Sequence, residues 1–180
     1  CSNPQVIIIA DAISLYPQEL YEKGLEIVTV SVQRTHPAAL NPRIKSLNYL
    51  NNILAKIEAT NAGADDAIML DSSGHIAEAT GMNLFIWKKD VLYTPAVYSG
   101  LLKGVTRDVI IEIAGEAGYR VVETILNRYD LYTADEMFLC GTGAEVAPVR
   151  QLDGRAIGTG SPGPVTRDII RRFRALTRGD

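Results

Sequence analysis

Two rhythms of apolar and polar positions run along the chain. Leu47, Leu50, Leu54 and Ile57 recur every three or four residues and Asn61-Ala62-Gly63 supplies a stop, which predicts a helix running from Lys45 onward. The same period predicts a helix over 106–117, with Val109, Ile110, Ile113 and Ala117 inward, and another over 166–176 that buries Ile169, Ile170, Phe173 and Leu176 beneath a row of arginines. Between these lie short apolar runs of strand length. Those at 67–70, 75–77, 83–87 and 91–93 are punctuated by Ser72-Ser73-Gly74 and Lys88-Lys89-Asp90 and read as a meander. Further strands are predicted near 120–123, 136–139, 146–150 and 155–157. Grouped antiparallel strands outweigh regular βαβ alternation, so the class is α+β.

The front of the chain follows another plan. Val6-Ile7-Ile8-Ile9-Ala10 has the pattern of a strand buried on both faces, and 25–32 forms a second strand candidate behind Glu22-Lys23-Gly24. Such strands need partners and cover that nothing before them supplies, so the chain is expected to be part of a larger protein. Thr35-His36-Pro37 through Asn41-Pro42 disfavours helix and reads as an interdomain connection. Residues 1–36 are therefore expected to be the remnant of an N-terminal domain with its connection, and 37–180 a domain of their own.

Composition narrows the partners. Hydrophobic residues are 47% and charged residues 22%, with a mean hydropathy of +0.05, the balance of a folding chain. Lys and Arg number 18 against 21 Asp and Glu, and the net charge of −3 gives no general attraction for nucleic acid or anionic lipid. No apolar stretch approaches a membrane span, and a cytoplasmic location is expected. Cys1, Cys140, His36 and His75 are too scattered for a disulfide framework or a zinc site, so no metal is expected.

Four places can carry chemistry. Lys45 stands where a Pro-containing connection meets an apolar helix, whereas Lys23, Lys56, Lys88, Lys89 and Lys103 fit solvated positions. A lysine that reacts with a carbonyl cofactor needs its ammonium partly desolvated. Glu78 closes an apolar strand before Ala79-Thr80-Gly81 and could face a cleft, where a carboxylate would keep a pyridine nitrogen protonated. Gly104-Val105-Thr106 opens a helix and can cradle a phosphate, and Gly141-Thr142-Gly143-Ala144 is a second anion-binding turn. Val105-Thr106-Arg107-Asp108 is repeated as Val165-Thr166-Arg167-Asp168, two similar helix starts rather than a repeat architecture. Each feature alone is more often an ordinary surface or turn residue.

Taken in order, these blocks resemble the class IV, fold-type IV aminotransferases that use pyridoxal 5′-phosphate (PLP), the branched-chain amino acid aminotransferases most closely. The likeness is carried by Lys45-Ser46-Leu47-Asn48-Tyr49, by 78–85, by Leu92-Tyr93-Thr94-Pro95, by 102–108, by Ala134-Asp135-Glu136, by 140–148 and by Gly163-Pro164-Val165-Thr166. The resemblance implies the C-terminal α/β pseudo-barrel domain of a D-amino acid aminotransferase-like fold, with 1–36 ending the N-terminal domain. It implies that Lys45 makes the covalent link to the cofactor, that Glu78 pairs with the ring nitrogen and that Tyr49 bonds the phenolic oxygen. Leu102 would pack on the ring, and Val105, Thr106 and Thr142 would hold the phosphate. Thr142 and Gly143 would receive the substrate carboxylate. It further implies amino transfer from branched-chain L-amino acids to 2-oxoglutarate, as in branched-chain amino acid biosynthesis, by a homodimer or a higher assembly. D-amino acid transamination and aminodeoxychorismate lyase chemistry share the scaffold and stay open. So does a non-catalytic PLP-binding or dimerisation module, although Lys45 and Glu78 are both present.

Overall fold

The structure is a computed structural model that describes residues 3–11, 13 and 15–179. In chain order the elements are α1 (Gln18–Lys23), β1 (Leu25–Thr29), α2 (Leu50–Asn61), β2 (Asp66–Leu70), β3 (Ile76–Ala79), β4 (Asn83–Lys88), β5 (Val91–Pro95), α3 (Val105–Glu116), β6 (Arg120–Thr124), α4 (Arg128–Tyr132), β7 (Glu136–Gly141), β8 (Glu145–Leu152), β9 (Arg155–Ala156) and α5 (Pro164–Arg178). The strands form one mixed sheet in the order β3-β2-β1-β8-β7-β4-β5-β6, with β9 added to β8.

Chain length forces this sheet to curl. Only Thr80, Gly81 and Met82 separate β3 from β4, although five inter-strand spacings lie between them along the sheet. At about 4.8 Å per spacing a flat sheet would hold them roughly 24 Å apart. Three linking residues reach at most about 14 Å. The sheet therefore bends into a half-barrel, the α+β architecture of the fold-type IV class. Alternation along β4 fills both sides: Leu84 and Ile86 enter one core with Leu25, Ile27, Met137 and Leu139. Phe85 points the other way, stacked on Phe138 at 5.1 Å and covered by Ile110 of α3 and Ile169 and Phe173 of α5. Burial on both faces is why this strand reads as an unbroken apolar run. Among the described residues no helix is long and apolar enough to cross a membrane.

Helices α3 and α5 and strands β1 to β9 form close to where the apolar pattern puts them. Several details differ. Residues 6–10 are not a buried strand: they belong to no helix or strand and are exposed, Val6 by 86% and Ile8 by 87%. An apolar run becomes a strand only against a partner edge, and this one meets none among the described residues. The helix expected from Lys45 begins at Leu50, because Leu47 takes a φ of 64° that no α-helix accommodates. Its large apolar residues also face outward: Leu50, Ile53, Leu54 and Ile57 are exposed, while Asn52, Ala55 and Ala59 are buried. Alanine lets α2 approach Ala67 and Met69 closely. The meander is really two antiparallel hairpins, β2-β3 and β4-β5, in different parts of the sheet. Helices α2 and α3 are crossovers between the parallel neighbours β1 and β2, and β5 and β6. Strand β1 lies inside the sheet, hydrogen-bonded to β2 and β8, so the cut expected at residue 36 runs through a shared sheet. Helices α1 and α4 have no counterpart in the sequence reading. The second is only Arg128–Tyr132, held by a capping box of Asn127 and Asp130.

Candidate active site

The curl opens a cleft of about 400 Å³ at one end of the strands. Its walls come from the loop after β1, the entry to α2, strand β3, the start of β4, the segment leading into α3 and the turn after β7. Lys45, Tyr49, Glu78, Leu102, Val105, Thr106 and Thr142 all line it. Gly143 does not: it borders a separate hollow with Thr142, Tyr16, Tyr21 and Arg174, and Leu15 packs over it.

Glu78 is the electrostatic centre of the cleft. It is buried on β3, with Oε1 2.8 Å from the Arg34 guanidinium. Its Oε2 accepts from the Leu102 N–H at 3.0 Å and from Asn83 Nδ2 at 3.2 Å. Burial pushes its pKa up to about 7, although Arg34, the Leu102 N–H and the Lys45 charge all pull the other way. An added cationic N–H at this carboxylate would offset that desolvation. Arg34 is itself fixed, donating from Nε to Gly100 O at 3.1 Å and from Nη1 to Asn52 Oδ1 at 2.8 Å. Asn52 in turn donates to Thr80 O at 2.7 Å, which ties α2 to the β3-β4 link.

Around this centre stand a phenol, an amine and an anion cradle. Tyr49 is half exposed, and its pKa is raised first by partial burial and then by Glu78, which keeps it a neutral donor. Gly81 lets its hydroxyl come close, since a Cβ there would lie 3.1 Å from it. Lys45 lines the cleft and is exposed; a cofactor filling the cleft would supply the partial desolvation that a carbonyl-reactive lysine requires. At the start of α3 the N–H groups of Val105 and Thr106 meet no acceptor among the described residues, and Thr106 Oγ1 lies 3.5 Å from Thr142 Oγ1. The repeated sequence at the start of α5 behaves differently. There the N–H groups of Val165 and Thr166 donate to the Glu136 carboxylate at 3.0 and 2.7 Å. One helix start carries its own anion, and the other leaves an anion site facing the cleft.

This donor set fits PLP: a buried carboxylate for the ring nitrogen, a neutral phenol for the phenolic oxygen, and open amides with two hydroxyls for the phosphate. A cleft of about 400 Å³ is of the size that holds a cofactor. Among the described residues no group of three or more His, Cys, Asp or Glu could hold a metal ion. Reading the sequence alone missed Arg34, Asn52 and Asn83. The one available signal was Asn83, a residue poorly suited to strands, at the head of an apolar strand.

Comparison with known proteins gives a consistent family. Residues 1–152 match the family model described as amino-transferase class IV. Over 176 residues the chain is 48% identical to a Methanocaldococcus jannaschii protein provisionally named a branched-chain-amino-acid aminotransferase, covering 98% of this chain and 60% of that one. It is 43% identical to the branched-chain-amino-acid aminotransferase of Pseudomonas aeruginosa over 163 residues, 90% of this chain and 53% of the relative. The structure superposes on the Escherichia coli branched-chain amino acid aminotransferase with a TM-score of 0.87 at 42% identity, covering 89% of this chain and 53% of that one. The branched-chain amino acid aminotransferase of Thermobaculum terrenum in its PLP form gives a TM-score of 0.85 at 40% identity, over 88% of this chain and 52% of the other. The chain thus spans between about half and three fifths of the length of these relatives.

Proposed function

The chain belongs to the class IV aminotransferases, and from that premise we propose that the whole protein transfers the amino group of Leu, Ile or Val to 2-oxoglutarate with PLP as cofactor. The observation that carries this reading is the meeting in one cleft of Lys45, Tyr49, Glu78, Leu102, Thr106 and Thr142. Its support from relatives is their names and the PLP form of a superposing structure.

On this reading each residue has a defined task. When bound, PLP supplies an electron sink for the negative charge that develops at the substrate Cα. Glu78, held by Arg34, Asn83 and the Leu102 N–H, keeps the ring nitrogen protonated. Tyr49 donates to the phenolic oxygen. The Val105 and Thr106 N–H groups and the Thr106 and Thr142 hydroxyls bind the phosphate, and Leu102 packs on the ring. Lys45 Nζ would hold the cofactor covalently and, when free, would take the substrate Cα proton as general base. The turn at Thr142 and Gly143 would receive the substrate carboxylate from its Thr142 side, which lines the cleft.

Borohydride reduction of the full-length holoenzyme followed by peptide mapping tests the assignment: the label is expected on Lys45, and a label elsewhere or nowhere refutes it. Assaying L-Leu, D-Ala and a chorismate-derived substrate side by side separates the branched-chain reading from the D-amino acid and lyase readings. The proposal also takes the protein as cytoplasmic and as a homodimer or an assembly of dimers, with residues 1–36 ending an N-terminal domain whose strand β1 joins this sheet. The exposed stripe of Leu50, Ile53, Leu54 and Ile57 supports a second copy docking on α2. A full-length monomer in sedimentation at micromolar concentration would contradict that.

A further inference from the structure

We propose that Asn83 is a positioning residue that couples the Glu78 carboxylate to the phosphate-binding turn ahead of α3, so that the two ends of the cofactor are bound as one unit. The inference rests on the PLP reading above.

Asn83 is buried, and its side chain touches both halves of the site. Its Nδ2 donates to Glu78 Oε2 at 3.2 Å and to Leu102 O at 2.8 Å. Both partners are acceptors there, which fixes the amide orientation and uses both of its hydrogens. The Leu102 N–H donates back to the same Glu78 Oε2 at 3.0 Å, so Glu78, Asn83 and Leu102 form a closed ring of hydrogen bonds. The other face of the amide abuts Gly104: a Cβ at Gly104 would collide with Asn83 Oδ1. Gly104 is the N-cap of α3, so its placement sets the direction of the Val105 and Thr106 N–H groups. Asn83 has a rigid base, because its backbone pairs with Cys140 on β7, two residues before Thr142. A shift of the Glu78 carboxylate is thereby transmitted through one amide to Leu102 and Gly104, and the reverse.

A strand-opening asparagine with a merely structural role would lower stability without linking the two ends of a ligand. The discriminating experiment is a double-mutant cycle on the full-length protein, with dissociation constants for PLP and for phosphate-free pyridoxal as the readout. The two are measured with Glu78 and with E78Q, each in the Asn83 and N83A backgrounds. With Asn83 present, the combined loss from removing the phosphate and Glu78 is expected to fall at least fivefold short of the product of the single losses. In N83A the losses are expected to multiply. A fivefold shortfall that persists in N83A, or single losses that already multiply in a PLP-binding parent, overturns the proposal. Failure of the unaltered protein to bind PLP at all brings down the reading of function first, and this proposal with it. If N83A does not fold, N83D keeps the size while removing the donors. It is expected to abolish the same coupling and to move the pH midpoint of the bound cofactor's visible band upward, and an unmoved midpoint with intact coupling overturns the proposal.

Discussion

A carboxylate buried as deeply as Glu78 holds a charge that Arg34 only partly offsets, and the imbalance has a direction in pH. Its native pKa is raised from 4.5 to about 7, so between these values the native state binds more protons than the unfolded chain. The stability that this group contributes is full below about 4.5 and is lost as pH rises through about 7. Replacement by glutamine removes the titration. We expect the cofactor-free full-length protein to lose up to about 3 kcal/mol relative to E78Q between pH 4.5 and 8, read from denaturant midpoints; parallel profiles would contradict this. At this scale the sequence is legible where a residue's neighbours in the chain define its setting. Glu78 and Thr106 close a strand and open a helix, and both positions follow from local pattern. Arg34 and Asn83 do not, because their partners reach them only when the sheet curls.

Among elements, the two helix starts that share Val-Thr-Arg-Asp provide matched experiments. Glu136 accepts from the first amides of α5, and Gly163 is small enough to let it in. We expect E136A to leave those buried donors unsatisfied and to cost about 1–3 kcal/mol of stability, seen as a lower Tm, with PLP affinity of the full-length protein little changed. The helix α3 should behave inversely. A methyl group at Gly104 has no room beside Asn83, although its φ of −72° is ordinary for any residue. We therefore expect G104A to weaken PLP binding at least tenfold while moving Tm by only a few degrees, measured by titration and by melting. Periodicity located these helices but could not orient α2. Leu50, Leu54 and Ile57 mark a helix of the right period, yet the face that seats on the sheet is the one with Ala55 and Ala59. Close approach to Ala67 and the hydrogen bonds of Asn52 outweigh the burial of larger side chains.

For the whole molecule, class and most strands were legible, but the curl was not, since it follows from three residues having to join strands that lie far apart along the sheet. Exposed apolar surface is the other property of this scale. Val6, Ile7, Ile8 and Ile9 and the outer stripe of α2 all face water. Produced alone, the 180 residues should self-associate in a concentration-dependent way. Lysine at both Ile53 and Ile57 should reduce that association in sedimentation, and unchanged association would show that the stripe is not responsible.

The position of β1 carries a consequence in time. One edge of this strand pairs with β2, but its other edge waits for β8, and the contact of Thr29 with Asp153 joins residues 124 positions apart. At roughly 5–20 residues per second of synthesis, that gap keeps the edge open on the order of ten seconds. Throughout that interval the nascent chain holds a half-made sheet whose missing neighbour has not yet been translated. Pairing so distant is expected to be slow, and during synthesis this edge of β1 has no β8 to pair with until residues 145–152 arrive.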